Sequence, residues 1–583
     1  MNEVTVKING VSVTVPSGTT ILEAAKKAGF DIPTLCYMKE LNEIGACRIC
    51  VVELKGAKGP VTACVYPCDR DGMEITTNSP AIMEYRRKTL QLIMSTHDMK
   101  CTSCIRNGNC ELAQLCKRYK VTDNERYAGE RKESKIDTSM PTLARDNNRC
   151  ILCRRCVAVC NNLQGIGVIG ANNRGFKTEI GSAFKMNLGQ TACVGCGQCI
   201  AVCPTGGLKD KESIDEVLDA IADPNKVVIA QTAPAVRAAL GECFDYPIGT
   251  DVEGKMVTAL KYVGFDKVFD TDFGADLTIM EEATELLERI KNGGTLPMIT
   301  SCSPGWVNFC EHYYPDMTEN LSSCKSPHQM LGAIIKSYWA EKNGIDPKNI
   351  VVVSIMPCTA KKMEIDRPDE GRDGMKDVDY VLTTRELGRL IQRKDIIFNS
   401  LPDSEFDSPI GQGTGAAVIF GATGGVMEAA LRSAQALATG ENSDAIDFKE
   451  VRGFEGIKEA TYTVAGIELH AAVASGLKNA AKLLDAVKSG EKKYEFLEIM
   501  CCPGGCVNGG GQPQQPSYVR NFEDIRTKRA SVLYSIDSDA PIRRSHENPD
   551  IKALYDEYLK TPGSETAHHL LHTTYQKKSV NNH

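Results

Sequence analysis

No stretch of the chain approaches 18 consecutive apolar residues, so a membrane-spanning helix is not expected. Positive charge is not in excess: the net charge is −7, which offers no basic surface for nucleic acid. Residues 1–10 alternate in strand fashion without an apolar h-region, so no signal peptide is expected and the chain is read as cytoplasmic. There is no G-x-x-x-x-G-K-[ST] loop, and Gly413-Thr-Gly415 does not complete a dinucleotide fingerprint, so no nucleotide or flavin site is read. With 42% hydrophobic and 25% charged residues, disordered and collagen-like classes are excluded. The length, 583 residues, gives a prior of roughly four domains. Tryptophan occurs only twice, but cysteine occurs 25 times. An odd number in a large chain is a poor disulfide framework, and metal or redox chemistry is the better expectation.

Seventeen of the 25 cysteines lie in the first 203 residues. Residues 3–35 read as a small fold. Val4, Val6 and Ile8 alternate, Asn9-Gly10 is a type I′ hairpin signal, and Val11, Val13 and Val15 alternate again. Thr19 or Thr20 can cap a helix from Ile21 to Ala28, closed by Gly29. Then comes Cys36-x10-Cys47-x2-Cys50-x13-Cys64, four thiolates that could hold an iron–sulfur cluster or zinc, with Cys68 left as structural. Beyond an amphipathic segment, Ala81 to Ser95, His97-x3-Cys101-x2-Cys104-x5-Cys110 offers one imidazole and three thiolates, enough for zinc or a cubane.

The most specific spacing is the pair Cys150-x2-Cys153-x2-Cys156-x3-Cys160 and Cys193-x2-Cys196-x2-Cys199-x3-Cys203-Pro204. This is the two-cluster ferredoxin pattern, in which the fourth cysteine of each run serves the other cluster. Cys150, Cys153, Cys156 and Cys203 would hold one cubane; Cys193, Cys196, Cys199 and Cys160 the other. A row of such clusters conducts single electrons at low potential.

Residues 210–520 read as α/β. Val227 to Ala230, Pro297 to Ser301 and Val351 to Ile355 are strand-type runs, and Gly254 to Val263, Leu277 to Ile290 and Gln329 to Glu341 carry helical periodicity. Glu282, Glu285 and Arg289 share one helix face. Three segments stand apart: Thr300-Ser-Cys302-Ser303-Pro304-Gly-Trp306; Met356-Pro-Cys358-Thr-Ala-Lys361; and Glu498-Ile-Met500-Cys501-Cys502-Pro-Gly-Gly505-Cys506-Val-Asn-Gly-Gly-Gly511. In the last, glycines flanking Cys502-x3-Cys506 suit a turn whose backbone closely approaches a metal group.

The front resembles a plant-type [2Fe–2S] ferredoxin domain with a lengthened first gap, followed by a histidine-ligated [4Fe–4S] domain. The three back segments resemble the signature motifs of iron-only ([FeFe]) hydrogenases, so the resemblance covers essentially the whole chain. It implies a multidomain α/β and α+β protein: a β-grasp [2Fe–2S] ferredoxin domain over 1–79, a histidine-ligated [4Fe–4S] domain over 80–130, a two-[4Fe–4S] ferredoxin-like domain over 140–209, an α/β H-cluster domain over 210–515 and a C-terminal wrapping segment over 516–583. In that segment His568, His569 and His572 are read as packing, and 577–583 as a frayed end.

The implied activity is reversible oxidation of H2 and reduction of protons. The implied cofactors are one [2Fe–2S] cluster, three accessory [4Fe–4S] clusters and an H-cluster, a cubane joined to a diiron unit with CO, cyanide and dithiolate ligands. By position, Cys358, Cys502 and Cys506 would hold the H-cluster cubane, Lys361 would pair with a cyanide, and Pro327, Met356 and Met500 would wall the diiron unit, with His328 beside them. Cys302, Glu282, Ser322, Glu285 and Arg289 would relay protons. The sequence departs from the family at Ser303, which stands where a fourth cubane cysteine is usual; the ligand is Ser303, a slipped Cys302, or a recruited Cys324 or Cys501. The implied partners are maturation factors, ferredoxin, and the flavin/NAD(P)-binding and [2Fe–2S] subunits of an NAD(P)-linked, electron-bifurcating complex, with a stand-alone ferredoxin-coupled enzyme as the competing assignment. A reading from another class, an electron-relay or assembly protein with a degenerate site, rests on Ser303.

Overall fold

The computed structural model describes residues 2–122, 127, 133–408 and 410–578. The expected boundary at residue 130 and residues 579–583 of the expected frayed end lie outside the described residues. The N-terminal hairpin pairs Glu3–Ile8 with Val11–Pro16, turning through Asn9 and Gly10, both at positive φ (49° and 87°) as a type I′ turn requires. Val4, Val6, Ile8, Val13 and Val15 point inward, and Val11 is exposed. Of the two candidate caps, Thr20 is the one used: its hydroxyl accepts from the Glu23 amide at the start of the helix Ile21–Lys27. That helix packs on a five-stranded sheet completed by Val51–Leu54, Val61–Thr62 and Glu74–Thr76. The helix Pro80–Met94 opens on Ser79, and Arg86 reaches from it to the carbonyls of Ile49 and Val51, docking it beside the loop that carries Cys47 and Cys50.

The C-terminal two-thirds is built on two four-stranded sheets. One is wholly parallel, in the order Lys267–Asp270, Val227–Thr232, Ile350–Met356, Tyr380–Thr383. Its central strand, Ile-Val-Val-Val-Ser-Ile-Met, is covered on both faces, which is why it is a continuous apolar run and does not alternate. In the other, Met298–Ile299, Phe496–Met500 and Ile467–Ser475 run parallel, and Ile457–Val464 closes the edge antiparallel. The three distinctive segments therefore share one placement. Cys302 lies just past Met298–Ile299, Cys358 just past Ile350–Met356, and Cys502 just past Phe496–Met500. All three loops leave the carboxyl ends of parallel strands, where open α/β sheets bind their ligands.

A long helix, Thr271–Asn292, carries Glu282, Glu285 and Arg289 past this point. Asp270 caps its start, and Gly293 in left-handed conformation ends it. It crosses the helix Pro327–Ile334 at Gly274, where a Cβ would collide with the Pro327 carbonyl oxygen. The C-terminal segment is pinned to this core by ion pairs taken out of water: Arg529 grips Glu242 through two 2.7 Å bonds, and Arg432 grips Asp537 at 2.7 and 2.8 Å. No helix among the described residues is long and apolar enough to cross a membrane.

Gly274→Ala improves helix propensity by about 1 kcal/mol, yet it forces the two helices apart at a backbone contact, an overpacking cost of about 1–3 kcal/mol. The expected result is a lower melting temperature for the catalytic unit by calorimetry; an unchanged or raised value would show that the crossing has slack.

Candidate active site

The first four front cysteines gather as their spacing implies. Cys36 and Cys47 share a hydrogen bond, Cys50 Sγ lies 3.3 Å from Cys64 Sγ, and all four thiols sense one another's charge. Cys68 is buried apart in the sheet core. Cys110 lies near Cys104, whose sulfur abuts Gly206 of the ferredoxin-like region. His97 is buried.

The two ferredoxin runs interchange their last members. One cavity is lined by Cys150, Cys153, Cys156 and Cys203, and a second by Cys160, Cys193, Cys196 and Cys199. Burial pushes the Cys150 thiol up to about 11 and Cys153 and Cys193 to about 12, and it raises Cys156 and Cys199 well above the usual thiol range. Without metal, these thiols keep their protons at neutral pH; iron takes their place. Four sulfurs converging on each small apolar cavity fit a cubane.

At the strand ends the three loops and the two crossing helices enclose a cavity of about 70 Å³ lined by Cys302, Ser303, Pro327, His328, Met356, Cys358, Lys361, Met500 and Cys506. Cys502 is buried behind it and acts with Cys506 on Cys358, so three thiols meet at one side. Gly504 and Gly505, both with φ of 90°, let the Cys502–Cys506 turn fold back on itself; a Cβ on Gly505 would press on the Thr423 amide. The donor set of three thiols and the Ser303 hydroxyl, beside an apolar cavity, fits a cubane with a second group against it. Ser303 Oγ accepts the Cys501 amide at 3.2 Å. Cys501 lies outside the cavity, its thiol hydrogen-bonded to both Cys196 and Cys502, and Cys324 lies outside it against Glu285.

Cys302 retains accessible area only because it lines the cavity; burial, followed by the charge of Glu282, raises its thiol well above the usual range. Burial, reinforced by Glu285 and opposed by a hydrogen bond with Ser322, pushes the Glu282 carboxyl up to about 8. Ser322 Oγ donates to Glu285 Oε2 at 2.8 Å, and Arg289 holds Glu285 Oε1 at 2.6 Å. Ser322, Glu285 and Arg289 are thus joined by hydrogen bonds toward a partly exposed guanidinium, with Glu282 bonded to Ser322 and its charge felt at Cys302 on the cavity wall.

Two carboxylates escape a reading of the sequence. Glu364 bridges Lys361 (2.8 Å) and His328 (2.5 Å). Burial alone would raise its pKa, but Lys361 and then His328 hold it down to about 2. Burial and then Lys361 depress His328 to about 4, so the neutral ring donates from Nε2 to Glu364 and accepts from Ser354 at Nδ1. Glu364 stands one helical turn beyond Lys361, the only sequence signal it has. Glu498, fully buried, accepts the amides of Gly424 (2.6 Å) and Met427 (2.8 Å), tying the glycine-rich Phe420–Gly425 stretch to the strand that leads to Cys502; Phe420 and Gly421 line the cavity.

Family profiles match along the chain: a 2Fe-2S iron-sulfur cluster binding domain at 1–80, the NADH-ubiquinone oxidoreductase-G iron-sulfur binding region at 86–125, a 4Fe-4S dicluster domain at 149–207, the C-terminal domain of the iron only hydrogenase large subunit at 226–510 and the iron hydrogenase small subunit at 523–578. The chain is 49% identical to NADP-reducing hydrogenase subunit HndD of Solidesulfovibrio fructosivorans, over 99% of this chain and 100% of that one. It is 44% identical to iron hydrogenase 1 of Clostridium pasteurianum, over 98% and 100%. Among solved structures, the [FeFe]-hydrogenase HydA1 of Chlamydomonas reinhardtii superposes with a TM-score of 0.56 at 44% identity, covering 62% of this chain and 98% of that one. Whole-length identity, a matching order of iron–sulfur domains and three cysteine loops closing on one cavity establish that the chain belongs to the iron-only, or [FeFe], hydrogenases, enzymes that interconvert H2 with protons and electrons.

Proposed function

We propose that this hydrogenase is the catalytic subunit of an NADP-linked complex, with the H-cluster seated in the cavity at the strand ends and four further clusters leading from it. The observation that carries the reading is the enclosure of Cys302, Ser303, Cys358, Lys361 and Cys506 with Pro327, Met356 and Met500 in one cavity, at the head of the file to Arg289. When bound, the cluster supplies the chemistry that splits or forms the H–H bond. Cys358, Cys502, Cys506 and Ser303 hold its cubane, and Lys361, positioned by Glu364 and by the Cys302 carbonyl at 3.2 Å, offers an ammonium to an anionic ligand. Met356, Met500 and Pro327 exclude water.

Protons leave through the chain's own groups. The Cys302 thiol passes a proton to Glu282, Glu282 to the Ser322 hydroxyl, and Ser322 to Glu285, where Arg289 fixes the outer carboxylate. Electrons leave through the Cys193/196/199/160 and Cys150/153/156/203 cubanes toward the His97/Cys101/Cys104/Cys110 cubane and the Cys36/47/50/64 [2Fe–2S] cluster. Cys104 beside Gly206 and the hydrogen-bonded thiols Cys196, Cys501 and Cys502 support that order. The family matches support division at 1–79, 80–130, 140–209, 210–515 and 516–583, and the five-stranded sheet with its helix supports a β-grasp front. The NADP linkage and the flavin, [2Fe–2S] and ferredoxin partners rest on the likeness to HndD; the metal groups call for maturation factors.

Glu282→Gln and Cys302→Ala should each cost H2 turnover about 10²–10⁴-fold while leaving the infrared bands of the diiron ligands in place; near-normal turnover in either would end the relay reading. Because Glu282 titrates near 8, above free glutamate, its proton is present for H2 evolution below that value. Evolution should fall as pH rises through about 8, and the stability this proton adds, complete below the unfolded value of 4.5, is lost over the same rise. A wild-type profile flat to about pH 10, measured with reduced viologen, would contradict this assignment. Ser303→Cys should raise the cubane's reduction potential and alter its electron paramagnetic resonance signature, since thiolate is a softer, less basic ligand than alkoxide; an unchanged spectrum would remove Ser303 from the ligand set. NADPH should drive H2 evolution only after addition of a flavin subunit.

A further inference from the structure

Beside the outer end of the proton file lies a second group of ligand-type side chains. Glu285, Cys324 and His572 offer ligand atoms that all fall within 4.8 Å of one another. Cys324 Sγ is 3.8 Å from Glu285 Oε2, and an isolated β-bridge pairs Cys324 with His572, so backbone as well as side chain holds them together. Ser323 Oγ lies 2.8 Å from His572 Nδ1, a partner that orients the ring, and Nε2 is hydrogen-bonded to Glu281 Oε2 at 3.2 Å, a contact that an ion at Nε2 would replace. Tyr555 and the Gly563 amide hold Glu281 in turn.

We propose that Glu285, Cys324 and His572 form a binding site for a borderline-soft divalent cation, Zn2+ being the best fit, and that the bound ion blocks proton transfer. One carboxylate, one thiolate and one imidazole are zinc's ordinary ligands, and a tetrahedral ion would draw them to about 3.3–3.5 Å apart, a small closure from the present spacing. Ser323 fills the outer position in which a metal-bound imidazole is held by its second nitrogen. Binding exchanges the Cys324 S–H bond for Zn–S and the His572 Nε2–Glu281 hydrogen bond for Zn–N; the thiol proton goes to solvent, and the neutral ring keeps its one N–H proton at Nδ1, where it donates to Ser323. Arg289 keeps Glu285 Oε1, while the ion takes Oε2, the atom that accepts from Ser322. Glu285 then cannot accept the relayed proton. This last step rests on the relay proposed above; the site itself does not.

The test uses matured, chelator-washed, full-length enzyme titrated with zinc chloride. Wild-type protein should retain one more zinc than Cys324→Ala after gel filtration, and the zinc-edge absorption difference between them should contain one sulfur near about 2.3 Å. H2 evolution should be inhibited reversibly, with recovery on chelation. Cys324→Ala and His572→Gln, each referred to its own zinc-free rate, should need at least about tenfold more zinc for half-inhibition. Equal zinc content and equal inhibition in all three proteins would overturn the site. Zinc held through Cys324 sulfur without loss of rate would support the site and count against the relay through Glu285.

Discussion

A thiol driven upward by burial holds its proton until a metal takes the proton's place, and much of this structure is arranged around that constraint. Cys150, Cys153, Cys156, Cys193, Cys199, Cys358 and Cys506 are all driven upward, chiefly by burial. These thiols stay protonated until iron enters, while a hydrogen bond with Cys501 draws Cys196 the other way, so affinity for the clusters and stability of the surrounding loops are linked. The same burial acts on Cys302 and Glu282 with a different result. No metal is expected to displace their protons, so they keep them near neutral pH and can trade them.

Conduction asks for closeness, and backbone contact supplies it. Gly510 lies against the Cys196 carbonyl, where any Cβ would collide, and Gly197 faces Gly510 from the other side. Around this touch, Gln198 reaches the Asn508 carbonyl at 2.8 Å, Thr359 the Gly195 carbonyl at 2.7 Å, and Gln164 the Cys501 carbonyl at 3.1 Å. Arg385 adds a buried clamp, bonding Asp210 and the carbonyls of Gly510 and Gln512, all at 2.6 Å. The ferredoxin-like region and the catalytic loops are therefore locked together without bulky side chains between them. The three glycines 509–511 act as spacers of minimum thickness.

Local chemistry is legible in the sequence, and long-range pairing is not. Cysteine spacing reports which thiols gather because short loops bring them together, and the crossed grouping of Cys160 and Cys203 can be read from their runs alone. Asn9-Gly10 and Thr20 act through neighbours within four residues. The helix periodicity that puts Glu282, Glu285 and Arg289 on one face is equally local. By contrast, Glu364 is an ordinary charged residue until His328 is known to lie against it, and Glu498 until the Gly424 and Met427 amides do. His572 reads as packing because nothing in the chain before it announces Cys324 as a neighbour. Ser303 is visible as a departure, but only the cavity shows it facing the same space as Cys358 and Cys506.

The C-terminal segment also fixes the accessory domains. Ser517 donates to Glu111 at 2.6 Å, and Glu111 is held by Arg155 at 2.9 Å, so one buried carboxylate joins the second iron–sulfur region, the ferredoxin-like region and the C-terminal segment. A ribosome delivers Glu111 and Arg155 long before Ser517. The first two can pair as soon as they emerge, but the third arm of the junction arrives only after the cavity loops have been made. The junction that holds the accessory regions against the catalytic core is therefore complete only when the last stretch of the chain is in place.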